Sequence, residues 1–326
     1  MSRVLDLAMR HPWAITREWL DTIVAIALRE NGDVETIERE LGRPLANTRQ
    51  VTVRDGIAIV PVTGPLFRYA NLFTEISGAT SFEVLARDIG EALRSPEVRG
   101  IILEIDSPGG QVNGTEETAE LIYRARSEKP IRAHISGVGQ SGAYWIASAA
   151  GSVSAAATAL VGSIGTVLTV KDTRAIEAKS GVRTLEIVSS QSPKKRLDPF
   201  TEEGRSELQK LVDDMANVFI AAVARNRGVA PEVVLERFGQ GGSFVGQAAV
   251  DAGLVDRVST LEDEIAEMSR EYGSGRSFVA PAAAIGGPVT KEGKMPEKTQ
   301  ASAAENAPAM TWDQVKETFA AEIKAE

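Results

Sequence analysis

Ser141 stands near the middle of Ile131-Arg-Ala-His-Ile-Ser-Gly-Val-Gly-Gln-Ser-Gly-Ala-Tyr-Trp-Ile-Ala-Ser-Ala-Ala150. The stretch begins as a short alternating apolar segment, passes through Gly137 and Gly139, and becomes a small-residue helix from Gly142. A serine at such a joint has its hydroxyl held out of the turn. The first N–H groups of the helix are then free to meet negative charge. That is what a serine nucleophile needs, but a serine that merely caps the helix would look the same. The local sequence leaves both roles open.

A nucleophile needs a base. The only histidines are His11 and His134. His134 precedes Ser141 on the same strand and no histidine follows it, so every triad with a downstream histidine is excluded. His11 falls in a helical N-terminal segment and is a poor candidate. Lysine remains, because a desolvated ammonium can lose its proton. Lowering a lysine from ~10.4 to about 7 costs on the order of 4–5 kcal/mol, which requires a partly buried loop beside the serine. Pro193-Lys194-Lys195-Arg196-Leu197-Asp198-Pro199-Phe200 holds the best candidates, although by spacing alone it reads as a solvated basic cluster.

An oxyanion site has a candidate in Asp106-Ser-Pro-Gly-Gly110, where unhindered N–H groups of Gly109 and Gly110 could act with that of Gly142. One such donor is worth about 2.7–4 kcal/mol in well-studied enzymes; a plain turn has the same residues. Ser163, in Val161-Gly-Ser-Ile-Gly165, could hold the lysine through its hydroxyl. Glu116 and Glu117 are helix neighbours that point apart and read as solvent-facing. Neither glycine-rich phosphate motif occurs.

The elements around these residues are those of an α/β domain. Val51 to Val62 reads as two strands about Asp55-Gly56. Ser81 caps a helix to about Leu93, and Gly100–Ile105 is a buried strand that ends at the Asp106 loop. A helix over about 112–127, the strand into Ser141, strands over 153–158, 166–170 and 183–188, and a helix over 172–180 continue the alternation. A long helix from about Thr201 to Arg227 carries one stripe of Leu208, Leu211, Val212, Met215, Val218, Phe219 and Val223. Phe244 to Val258 adds a strand, a short helix and a last strand.

The flanks differ. Met1 to Leu45 reads as helical, with Trp13, Leu20, Ile23, Val24 and Leu28 at helical spacing, giving an N-terminal arm over 1–50. A peptidase-sized core over 51–272 follows. From Gly273 a Gly/Ala/Pro/Ser-rich linker leads to a terminal amphipathic helix: Thr311–Gln314 fits a capping box, and Trp312, Val315, Phe319 and Ile323 form its stripe.

Composition narrows the function classes. A net charge of −9 argues against a nucleic-acid binder. With no cysteine and two histidines, thiolate chemistry, disulfides and histidine-rich metal sites are excluded. The apolar run Thr22–Leu28 is far short of the ~20 residues of a membrane span, and no signal peptide is evident.

Taken in order, Asp106–Gly110, Ser136-Gly-Val-Gly-Gln-Ser-Gly-Ala-Tyr144, Val161–Gly165, Lys194–Phe200 and Gly253-Leu-Val-Asp256 resemble the signal peptide peptidase A family of serine peptidases. The resemblance covers roughly Gly56 to Val258. It implies a Clp protease/crotonase-like α/β fold of repeated strand-helix units. Ser141 becomes the nucleophile, Lys194 the general base with Lys195 as the alternative, and Ser163 the residue assisting the lysine. Oxyanion donors come from Gly109, Gly110 and Gly142. No cofactor or metal is required, and ring-like homo-oligomers shape the active sites between neighbours.

Trp13-Ala-Ile-Thr16, the lack of a span and the tail look more like the phage or prophage branch of that family, the head maturation (capsid assembly) proteases. This implies an endopeptidase acting on capsid or scaffold proteins in the host cytoplasm or inside procapsids. The C-terminal tail would be scaffold-like, and Met295 would be an internal start for a separate scaffold product. A soluble bacterial peptidase of signal peptides or protein fragments is the alternative enzyme reading, and an inactive oligomeric scaffold the non-enzyme one.

Overall fold

Asp55 and Gly56 both take positive φ, 52° and 81°, the backbone of a two-residue hairpin turn. In the computed structural model, which describes residues 13–15, 50–68 and 78–272, this hairpin joins β2 (Thr52–Arg54) to β3 (Ile57–Thr63), after β1 (Trp13–Ile15). β4 (Leu66–Phe67), β5 (Thr80–Ser81) and α1 (Phe82–Arg94) follow. Then come β6 (Gly100–Ser107), β7 (Gly109–Gln111), α2 (Thr115–Ala125), β8 (Ile131–Gln140) and α3 (Gly142–Ser148). The chain continues through β9 (Ser152–Ala155), β10 (Leu160–Gly162), α4 (Arg174–Lys179) and a 3₁₀ turn (Pro193–Arg196). It ends in α5 (Glu202–Arg227), α6 (Pro231–Arg237), β11 (Ser243–Val245), α7 (Gln247–Ala252), β12 (Arg257–Val258) and α8 (Leu261–Tyr272).

The fold is the expected mixed α/β type. Its eight-stranded sheet runs β11-β10-β8-β6-β3-β2, with β9 joined to β8 and β12 to β9. β3, β6, β8 and β10 are parallel. A smaller sheet runs β1-β7-β4-β5. The repeat is a long strand in the large sheet, short strand in the small one, then a helix: β3-β4-β5-α1, then β6-β7-α2. β8 instead passes straight into α3, and that break in the pattern puts Ser141 at its joint.

Parallel strands covered on both faces need continuous apolar runs. Ile101, Ile102, Leu103 and Ile105 accordingly bury completely. Helix α1 lays Phe82, Leu85, Ile89 and Ala92 on the core. Its start is set by Ser81, whose hydroxyl accepts the Val84 N–H at 3.1 Å, a cap worth about 1 kcal/mol. On α8, Ile265 and Met268 pack with Ile57, Ile59 and Ile102. Among the described residues no helix is long and apolar enough to cross a membrane.

Three expectations are corrected. Trp13–Ile15 form a strand on β7 and not part of a helix, because pairing with another strand outweighs a local helical spacing. Residues 166–170 and 183–188 form no strand element. Apart from an isolated bridge at Val167 no ladder forms there, and Leu185 and Ile187 are 84% and 88% exposed. On α5 the stripe is buried only at its C-terminal end, through Phe219 and Val223, while Leu211 and Val218 face outward. The rest of the N-terminal arm with His11, the linker from Gly273, Met295 and the terminal helix lie outside the described residues.

Candidate active site

The register of the large sheet brings the sequence blocks together. Ser107 on β6 pairs with Gly139 on β8, so the Pro-Gly-Gly loop and Ser141 leave adjacent strands at the same edge. Gln140 pairs with Gly162 on β10, so Ser141 and Ser163 are each the next residue after a paired position. The site therefore lies along the carboxyl ends of parallel strands, where open α/β sheets place their ligands.

Ser141 has φ 53° and ψ −124° and does not cap α3 with its side chain. A capping residue needs ordinary extended backbone, so the capping role is not the one the geometry serves. A non-glycine residue held in such a region stores about 1–3 kcal/mol. Two backbone bonds hold it there: the Ser141 N–H donates to Gly162 O at 2.8 Å, and its carbonyl accepts from the Trp145 N–H at 3.0 Å. A sharp strand-to-helix turn of this kind can present a nucleophile.

Helix α3 is fixed from several sides. The buried Tyr144 hydroxyl donates to Leu254 O at 2.8 Å, and burial pushes its phenol above the ordinary value. Trp145 stacks on Phe219 of α5 with centroids 4.4 Å apart and planes 8° apart. Asn226 donates to the Ser148 hydroxyl at 3.0 Å.

In the neighbouring loop the Ser107 hydroxyl donates to Gly64 O at 2.6 Å and accepts the Gly109 N–H at 3.2 Å. The Gly109 N–H thus bonds to Ser107 in this structure, and it stands with those of Gly110 and Gly142 as an oxyanion candidate. Gly142 opens α3, where the first N–H groups lack an intrahelical acceptor. Gly110 must be glycine: a Cβ there would lie 2.0 Å from Leu66 O.

Asp106 Oδ1 accepts the Val138 N–H at 3.0 Å, tying this loop to the strand that carries Ser141. Asp106 and Ser107 thus hold the loop in place, a part their place in the motif alone does not assign. The signal was present, since Asp-Ser before Pro-Gly-Gly is a sequence whose side chains bond nearby backbone. Gln140 adds a third tie, donating to the Ser243 hydroxyl at 2.6 Å.

Ser163 shares the unusual backbone, φ 54°, and its N–H donates to Gly242 O at 2.7 Å. His134 is buried with Nδ1 2.9 Å from the Ser154 hydroxyl. Burial holds its pKa below the ordinary histidine value, and its bond to Ser154 makes it a core residue. Glu116 and Glu117 are exposed, as expected.

Lys194 is placed differently from the expected buried base. It sits in the exposed 3₁₀ turn and donates to Glu207 on α5, not to Ser141. The hydrogen bond and charge of Glu207 raise the ammonium above the ordinary lysine value. Lys195 is exposed as well. Ion pairs of Arg196 with Glu186, and of Arg174 with Asp198 at 2.8 Å, hold the segment. Pairs so exposed contribute little and are screened by salt.

Residues 124–274 match the description Peptidase family S49. Capsid assembly protease C of Escherichia phage lambda is 31% identical over 247 residues, 75% of this chain and 54% of that protein. Head-tail preconnector protein GP5 of Enterobacteria phage P21 is 30% identical over 229 residues, 69% of this chain and 45% of that protein. The chain thus spans about half the length of these relatives. The Synechocystis sp. protein slr0021 is 30% identical over 218 residues, 66% of this chain and 73% of its own length.

Among solved structures, an enoyl-CoA hydratase/isomerase family protein from Silicibacter pomeroyi aligns over 69% of this chain and 80% of its own. Its TM-score is 0.42 and its identity 11%. The match over 124–274 and the relative covered for most of its length agree: the chain belongs to peptidase family S49.

Proposed function

We propose that the chain is a serine endopeptidase with Ser141 as nucleophile and Lys194 as general base, with residues 51–272 as its catalytic domain. The observation that carries this reading is the strained backbone of Ser141 at the carboxyl edge of the sheet, beside the Pro-Gly-Gly loop. Neutral Lys194 takes the hydroxyl proton as Ser141 Oγ bonds to the scissile carbonyl carbon. The N–H groups of Gly109, Gly110 and Gly142 hold the oxyanion. The ammonium then protonates the leaving amine, and water, deprotonated by the same lysine, releases the acyl group. Ser163 assists by accepting a hydrogen bond from the lysine.

Lys194 reaches the serine in an assembled homo-oligomer. Within one chain the segment 166–200 exposes Val167, Val170, Leu185, Ile187 and Phe200, apolar surface that favours burial against a neighbour. Burial there would separate Lys194 from Glu207 and lower its pKa by desolvation. The substrate class is protein, and the phage relatives support capsid or scaffold proteins of an assembling head, with the C-terminal tail as the docking segment.

Purified chain, Ser141→Ala, Lys194→Ala and Lys195→Ala are compared on an unstructured protein and, by mass spectrometry, after co-expression with the neighbouring capsid gene. Loss of cleavage in the first two variants alone supports the dyad. Loss in Lys195→Ala alone moves the base by one residue. Equal processing by all four chains refutes the peptidase and leaves the oligomeric scaffold. Cleavage of signal peptides with intact capsid protein would favour the bacterial housekeeping role.

A further inference from the structure

Strand β7 carries the oxyanion candidates and has a partner on each side. On one side is β4, with Leu66 opposite Gly110. On the other is β1, antiparallel, with Trp13 opposite Gln111, Ala14 opposite Gly110 and Ile15 opposite Gly109. Ile15 is buried. The direction of β1 carries the chain from Gln111 towards Gly109, the end of β7 that lies beside Ser141.

A peptide that is to be cut beside Gly110 must bring its backbone to that backbone, and an extended segment adding to a strand edge is the general way to do so. The only edge of β7 not taken by β4 is the one that β1 holds. We propose that Trp13–Ile15 is an intramolecular occupant of the substrate edge of β7, so that the N-terminal segment inhibits its own peptidase until displaced. This rests on the peptidase reading above and adds its regulation.

A tethered segment acts at an effective concentration of about 1 mM, so even an occupant with a Kd of about 0.1 mM suppresses access roughly tenfold. The lock is therefore weak enough to be opened by a partner or by a substrate strand at high local concentration, as inside an assembling particle.

The test uses the full chain. Successive N–H groups of a strand point to opposite sides, so proline at both Ala14 and Ile15 must remove a ladder bond whichever one faces β7. Ile15→Asp, which cannot stay buried unpaired, is an independent release. Two rates are read: amide exchange at Gly109–Gln111, and labelling of Ser141 by a serine-directed fluorophosphonate. Both should rise about tenfold in Ala14→Pro/Ile15→Pro and in Ile15→Asp, with far-ultraviolet dichroism unchanged. A synthetic peptide of residues 8–20 should restore slow labelling.

Unchanged exchange overturns the proposal, as does faster exchange with unchanged labelling. A serine unreactive in every chain, at concentrations where sedimentation shows the assembled oligomer, overturns the peptidase reading instead.

Discussion

The backbone of Ser141 makes a prediction in which stability and activity move in opposite directions. At φ 53° and ψ −124° a side chain is strained, whereas glycine adopts the mirror image of ordinary extended backbone freely. Ser141→Ala removes the hydroxyl and keeps the strain; Ser141→Gly removes both. The strain released is about 1–3 kcal/mol. Glycine's extra freedom in the unfolded chain takes back roughly 0.5–1 kcal/mol. The bonds of residue 141 to Gly162 and Trp145 are backbone ones and survive either change. The glycine variant should therefore be the more stable by about 1 kcal/mol, a rise in Tm of about 2–4 °C in a domain of this size. Thermal unfolding of the two inactive variants side by side measures it. A glycine variant that melts at or below the alanine one refutes the claim that the fold holds Ser141 under strain. One that still cleaves peptide refutes the nucleophile.

Other outcomes follow from single contacts. Gly110→Ala should cost about 3 kcal/mol, read by urea unfolding, because its Cβ would lie 2.0 Å from Leu66 O and backbone must move. Glu207→Gln removes the main cause of the raised Lys194 pKa. If Lys194 is the base and keeps this partner in the active protein, the rising limb of the pH–rate profile shifts to lower pH; an unmoved limb shows that assembly has already broken the pair. His134 titrates below its unfolded value because it is buried. Below about pH 6.5 the unfolded chain binds a proton that the native one does not, so stability is full above that pH and falls beneath it. His134→Gln should flatten that slope in Tm measured across the range.

Much of this was legible because the chemistry follows strand ends, and strand ends are written locally. Gly100–Ile105, the Asp106 loop, the run into Ser141 and the Gly162-Ser163 turn each announce an apolar strand and its stop. Parallel pairing then aligns those stops without further information. The hairpin at Asp55-Gly56 and the cap at Ser81 were readable for the same reason: one or two residues decide them. Strand β7 and strand β1 were not. Each is three residues long, and neither has a hydrophobic period to show; Gly109–Gln111 becomes a strand only because β4 and β1 lie beside it.

The segment from Thr166 to Phe200 fails for a deeper reason. Its apolar residues alternate as in strands, yet among the described residues Leu185 and Ile187 stay exposed and neither 166–170 nor 183–188 forms a strand. Sequence patterns register that a surface will be buried and are silent on whether the partner belongs to the same molecule. Lys194 shares that condition. Its sequence position fits a base, while in a single chain its neighbour Glu207 keeps it protonated. The burial that the exposed side chains call for and the desolvation that the lysine needs are then one event. A peptidase arranged in this way gains its base only on assembly, so isolated chains should carry a formed but idle serine, and specific activity should rise with protein concentration. Activity strictly proportional to concentration, down to dilutions at which sedimentation shows single chains, would separate the two and return the search for the base to the protomer itself.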